Sequence, residues 1–131
     1  MPLVQRVAQI FGWGFVLIAA YGFVVSGSSM ESDPELAPKM LGLFPVNVLH
    51  NLVHLSLGVW GIFGARSWGG ARAYCLGAGL VYLGLIGLAY VDPTLFGLVP
   101  IGDGDILLHV VLAAPLLIAG LAAKSDAPGR R

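Results

Sequence analysis

Charge is what this sequence has least of: among 131 residues, seven are Lys or Arg and seven are Asp or Glu, for a net charge of zero. No cluster of basic residues appears, so the electrostatic footprint that nucleic-acid binding requires is missing and nucleic acid is set aside as a partner. Cysteine is nearly absent as well. The single Cys75 has no intrachain partner for a disulfide, and its apolar neighbours mark it as a small buried hydrophobe. Apolar surface stands where charge is lacking. Hydrophobic residues make up 57% of the chain and the mean hydropathy is +0.86. A soluble domain of this length does not tolerate that composition, so lipid is the solvent for most of the chain and the bilayer its first partner.

A hydrocarbon core of about 30 Å asks for about 20 mainly apolar residues per helix. Four segments satisfy this, at about 7–27, 46–65, 71–91 and 106–123. The sequence therefore predicts an all-α integral membrane protein. It forms one four-helix transmembrane domain over 1–131, with a flexible cytoplasmic tail at 124–131. Ser26, Gly27, Ser28 and Ser29 are small, as at a signal-peptide cleavage site. The apolar run before them, however, exceeds the roughly 7 to 15 residues of a signal h-region, so the first segment is read as a retained helix.

Charge sets the orientation. Arg6, Arg66, Arg72, Lys124, Arg130 and Arg131 flank one end of the spans, whereas Glu31, Asp33, Glu35, Asp92, Asp103 and Asp105 gather at the other, with Lys39 the one basic residue among them. By the positive-inside rule both termini are cytoplasmic and the acidic connections face outward. Trp68 and Tyr74 on the inner side, with Phe44, Tyr90 and Phe96 on the outer, are placed as interfacial aromatics. Within the spans Gly58, Gly61, Gly64, Gly77, Gly79, Gly84 and Gly87 predict close helix contact, which in lipid replaces hydrophobic burial as the force of association. Pro115 should free the carbonyl of Val111 in the last helix.

The two outward connections share a signature. Asp33-Pro34, Leu36, Gly42-Leu43 and Pro45 in the first match Asp92-Pro93, Leu95, Gly97-Leu98 and Pro100 in the second. The same register pairs His50 with Asp105 and His54 with His109. The bundle thus reads as two duplicated helical hairpins about a pseudo-twofold along the membrane normal, an arrangement that brings helices 2 and 4 face to face. Each Asp-Pro is suited to start a short interfacial helix, with Asp as the cap and Pro at the first position.

All three histidines fall inside spans, in the outer half of the bilayer. His50 and His54 share one face of helix 2, with Asn47 and Asn51 on or beside it, and Asp105 stands four residues before His109 in helix 4. Ionisable groups in lipid face the bundle interior and need partners. Three readings follow. In the first, the imidazoles of His50, His54 and His109 ligate zinc or copper, with Asp105 as a fourth ligand or as the acceptor that orients His109. A haem held axially by His54 and His109, or a chlorophyll, is the cofactor variant. In the second, the chain is a structural or accessory subunit, its polar groups clamp helices 2 and 4, and its outer loops contact a partner. The third is a metal-dependent membrane hydrolase, which needs a metal-bound water and access from outside. Ser56 is read as bonding a backbone carbonyl. A homo-oligomer or larger membrane complex is compatible with each.

The run Phe44-Pro45-Val46-Asn47, then His50-Asn51, His54 and Gly58, and later Asp105 before His109, resembles the bacterial membrane family called domain of unknown function 4383. The resemblance extends over nearly the whole chain. It implies a small four-helix protein of a bacterial cell membrane and points to the same polar residues, while naming no activity, cofactor or partner. One departure is local: Gly104 and Ile106 flank Asp105 where that family often has a small residue before and a polar one after.

Overall fold

The computed structural model describes residues 1–124 and is all-helical apart from one short ribbon. The expected tail from 125 onward and the charges of Arg130 and Arg131 lie outside the described residues. The helices are α1 (Leu3–Ser26), α2 (Val48–Gly64), α3 (Trp68–Val91) and α4 (Asp103–Ala122). α1, α3 and α4 are each long and apolar enough to cross a bilayer, while α2, at 17 residues, is shorter and equally apolar. The expected four-helix membrane bundle is what the chain forms.

α2 is short because its outer end is replaced by irregular backbone. β1 (Lys39–Met40) and β2 (Phe44–Pro45) pair antiparallel through a turn in which Leu41 and Gly42 take positive φ. Val46 N–H then bonds to the Pro38 carbonyl, and Val48 N–H to that of Ser29, so the connection is tied down over the head of α2. The short interfacial helices expected after each Asp-Pro do not form. Each Asp instead caps a single turn: Asp33 Oδ1 accepts from Glu35 N–H, and Asp92 Oδ1 accepts from Thr94 N–H and Oγ1. The hydroxyl and amide of Thr94 favour ionised Asp92 and hold its pKa below the ordinary carboxylate value. In the second connection the turn ends in three successive residues with positive φ, Leu95, Phe96 and Gly97. The left-handed turn reverses the chain, so that buried Leu95 and Ile101 pack back on Ala89 at the end of α3.

The bundle is inverted relative to a soluble one. Its interior is lined by small residues such as Ala8, Ala19, Ala71, Ala78 and Ala113, while Leu17, Val24, Leu80, Leu107 and Leu121 face outward. In lipid this sorting is favourable, because apolar side chains gain nothing by hiding and small ones let backbones approach. A Cβ added at Gly58 would lie 2.8 Å from the Gly12 carbonyl oxygen, and one at Gly61 would lie 2.8 Å from Gly12 Cα. Gly79 and Gly120 receive the side chains of Leu117 and Leu76 and so join α3 to α4. Gly84 and Gly87 have nothing opposite them, so their place in the pattern does not translate into contact. Tyr74 is fully buried with its ring edge-on to Trp60, a correction to its expected interfacial place, whereas Tyr90 and Phe96 are exposed as expected.

The hairpins α1–α2 and α3–α4 are the closest pairs, and α3 also packs on α1 and α2. No Cα of α2 comes within 8 Å of a Cα of α4 among the described residues. Helices 2 and 4 are thus diagonal, not face to face, and only long side chains span the gap between them.

Candidate metal centre

Asn47 begins the site. It is the N-cap of α2, its Oδ1 accepting from His50 N–H at 2.9 Å, while its Nδ2 donates to the Leu98 carbonyl at 2.8 Å. A short polar residue before an apolar helix is the usual cap, and here it also staples α2 to the second outer connection. One turn into α2, His50 Nδ1 lies 3.1 Å from the Pro45 carbonyl. His54, one turn deeper, stacks on Phe15 of α1 with ring centroids 5.9 Å apart. From α4, His109 reaches across the bundle to bring its ring centroid 6.4 Å from that of His50.

The three imidazoles meet at the centre. All are buried, and one ring nitrogen from each lies within 4.8 Å of the others, a group that can hold a metal ion. Nδ1 of His54 and Nδ1 of His109 have no hydrogen-bond partner among the described residues. Burying such a nitrogen unpaired costs about 1–3 kcal/mol, which the fold tolerates at two neighbouring places. A small cavity of about 30 Å³ lies among His50, His54, His109, Tyr82 and Ile101. That is near the share of liquid volume of one water molecule.

Asp105 behaves differently from the expectation. Its Oδ2 accepts from the Gly102 N–H at 3.0 Å, the role of an N3 carboxylate at the start of α4, and it makes no bond to His109. Asp105 nonetheless stays buried, on the wall of a second cavity that His54 and His109 also line. The polar clamp is likewise placed elsewhere. Asn51 donates through Nδ2 to Ser26 Oγ at 2.9 Å and so ties α2 to α1, while Asn47 ties α2 to the loop before α4. Ser56 bonds the Leu52 carbonyl, as its position suggested.

Two residues of the site escaped the sequence reading. Tyr82 of α3 lies against His109 with ring centroids 4.8 Å apart and against Phe15 at 5.5 Å, and its buried hydroxyl has no partner among the described residues. A signal for it existed: Ala71, Cys75, Ala78 and Tyr82 recur every three or four residues, and all four are buried. Phe15 carried no such signal, being one apolar residue among many in α1.

The family model described as Domain of unknown function (DUF4383) matches residues 5–122. The chain belongs to this family. In this member of DUF4383 the match takes in α1 from Gln5 onward, the whole of α2, α3 and α4, and every residue of the site. No curated protein and no solved structure matches the chain.

Proposed function

We propose that this DUF4383 protein is a membrane-embedded metal centre, in which His50, His54 and His109 ligate one zinc or copper ion. The observation that carries the reading is the convergence of three buried imidazoles, two with unpartnered nitrogens, on a cavity of about 30 Å³. Neutral imidazole is the donor that zinc and copper favour. Metal–nitrogen bonds of about 2.0–2.1 Å bring donors to about 3.3 Å of one another in a tetrahedral site, so ring rotations that draw the three together complete it. The space suits a single ion with one further small ligand, and offers no slot for a porphyrin or chlorophyll macrocycle.

The surroundings support the same reading. The Pro45 carbonyl accepts from His50 Nδ1 in the tautomer that leaves Nε2 free, the outer hydrogen bond by which metal-ligating histidines are oriented. Tyr82, which lines the same cavity with its hydroxyl unpartnered among the described residues, would serve as a fourth ligand or as a donor to one. A cation held there would favour the ionised form of Asp105, which lines the neighbouring cavity and would then offset charge that three neutral ligands leave uncompensated. We further infer, from the basic residues at one end of the bundle and the acidic ones at the other, that the termini are cytoplasmic and that the centre lies in the outer half of a bacterial cell membrane. At 1.5 Å per residue His50, His54 and His109 begin about 4 to 10 Å below their helix N-caps. The pairing of the N-caps Asn47 and Gly102 in the register that pairs His54 with His109 favours an origin by hairpin duplication.

Elemental analysis of detergent-purified, gel-filtered protein tests the reading. Wild type is expected to carry about one equivalent of zinc or copper, and His109→Ala to lose at least 90% of it, with His54→Ala behaving alike. A folded wild type that stays metal-free after incubation with either ion would overturn it.

A further inference from the structure

The seam between α1 and α4 is the loosest in the bundle, and it is hollow. Its outer part is a cavity of about 210 Å³ walled by Phe15, Tyr21, Phe44 and Leu112, with Asp105, His54 and His109 also on its wall. Toward the middle of the bilayer a second cavity of about 190 Å³ runs along Ile10, Phe11 and Gly14. The two share Phe15, Ile18 and Leu112 as a common wall, so they lie end to end. From Ile10 to Tyr21 the furrow extends about 16 Å along α1, at 1.5 Å per residue. Together the two hollows reach the lower part of the range of roughly 300–1,000 Å³ typical of small-molecule sites. One end is therefore polar and aromatic, and the other is wholly apolar.

We propose that this furrow binds a membrane-dissolved, single-tailed amphiphile with a neutral ring-shaped head bearing hydroxyl or carbonyl groups, which is quinone or quinol chemistry. The head lies against Asp105, His54 and His109, and the tail follows Gly14 and Leu112. Three features select this class. An acyl chain alone has no use for a buried carboxyl group and two imidazoles on the wall of its site, each of which keeps a second ring nitrogen for a hydrogen bond when the other holds a metal. A phosphate head would bring its charge into a furrow whose walls carry no Lys or Arg to pair it. A neutral ring meets aromatic faces on Phe15, Tyr21 and Phe44 and can both donate to Asp105 and exchange hydrogen bonds with imidazole, whose tautomers serve as donor or acceptor. Gly14 matters at the other end, because a Cβ there would have nothing within 4 Å and the space it leaves is the floor of the furrow.

This assignment goes beyond the metal reading and does not require it. The test is photolabelling of the protein in phosphatidylcholine nanodiscs with an azido-benzoquinone carrying a ten-carbon tail, followed by peptide mapping and metal analysis of the same samples. Labels are expected on 15–21 of α1 and 105–112 of α4, competed by excess decylubiquinone and not by phosphatidylglycerol. Gly14→Phe, which sends a ring into the furrow from a Cβ position with nothing within 4 Å, and Leu112→Trp are each expected to cut labelling at least tenfold while leaving bound metal unchanged. Labels spread over the lipid-facing side of α3, labels indifferent to both fillers, or equal competition by phosphatidylglycerol would each overturn the assignment. Focused labelling of a metal-free protein would remove the metal reading and keep the groove, and diffuse labelling of a metal-loaded protein would do the reverse.

Discussion

On one side of α1, Gly12 and Gly22 meet α2 so closely that a Cβ at Gly12 would lie 2.6 Å from the Ile62 amide nitrogen, and one at Gly22 would overlap Asn51 Oδ1. Two residues along from Gly12, Gly14 has nothing within 4 Å and opens onto the furrow beside α4. The same residue type in the same helix therefore closes one seam and hollows the other. The difference lies in what stands opposite. α2 answers with Gly58 and Gly61, so the two backbones touch, whereas Gly14 opens onto a furrow that Ile18 and Leu112 also line and nothing comes within 4 Å of its Cβ position. A small residue makes a tight helix contact when a backbone or a side chain of the partner fills the space it leaves, as Gly58 shows with Gly12 and Gly79 with Leu117, and otherwise it makes room for a guest.

Substitutions at these positions break or sharpen the contrast. Gly58→Leu has the largest expected effect on stability, because its side chain would have to pass through the Gly12 carbonyl and the Val16 backbone nitrogen. A loss of about 3 kcal/mol or outright failure to fold is expected from such overpacking, read by denaturant unfolding in detergent micelles. Gly22→Ala should displace the Asn51 amide and cost about 2 kcal/mol by the same measurement, with the Asn51–Ser26 hydrogen bond lost as well. Ser26→Ala removes that bond without a clash. An interhelical hydrogen bond in a membrane contributes about 0.6–2 kcal/mol, and a loss near 1 kcal/mol is the expected outcome. Gly14→Ala, on the open seam, should stay within about 0.5 kcal/mol of wild type. Equal costs at Gly22 and Gly14 would erase the distinction between the seams.

The four spans and the histidine cluster were legible in the sequence for separate reasons. Long apolar runs have one stable solution in lipid, a helix whose backbone bonds are all internal. His50 and His54, four residues apart in such a helix, share a face by geometry alone, and the cost of polar groups in lipid sends that face inward. Asn47 was visible as a polar residue at the head of a span, though its second bond, to the Leu98 carbonyl, was not. The misplaced parts share a different cause. The spacing of four residues points Asp105 toward His109, as ligand or acceptor, but the Gly102 N–H at the start of α4, which has no partner within the helix, donates to its carboxylate instead. The first outer connection was read as a short helix from Asp33-Pro34, and its ribbon depends on where the chain must arrive to cover α2.

By itself the sequence determined the solvent, the number and approximate extent of the helices, and the common face of His50 and His54, because these follow from local periodicity and from the energetics of one helix in lipid. Only the tertiary structure decided which helices are neighbours, and with that everything at the site that joins separate segments. It set α2 and α4 on a diagonal bridged by His109 and brought Tyr82 and Phe15 to the imidazoles. It also left the α1–α4 seam open while closing α1 on α2. Apolar helices in an apolar solvent have no hydrophobic force to choose among partners. The choice falls to the fit of small against small and large against small at each crossing, a property of pairs of surfaces that no single stretch of sequence carries.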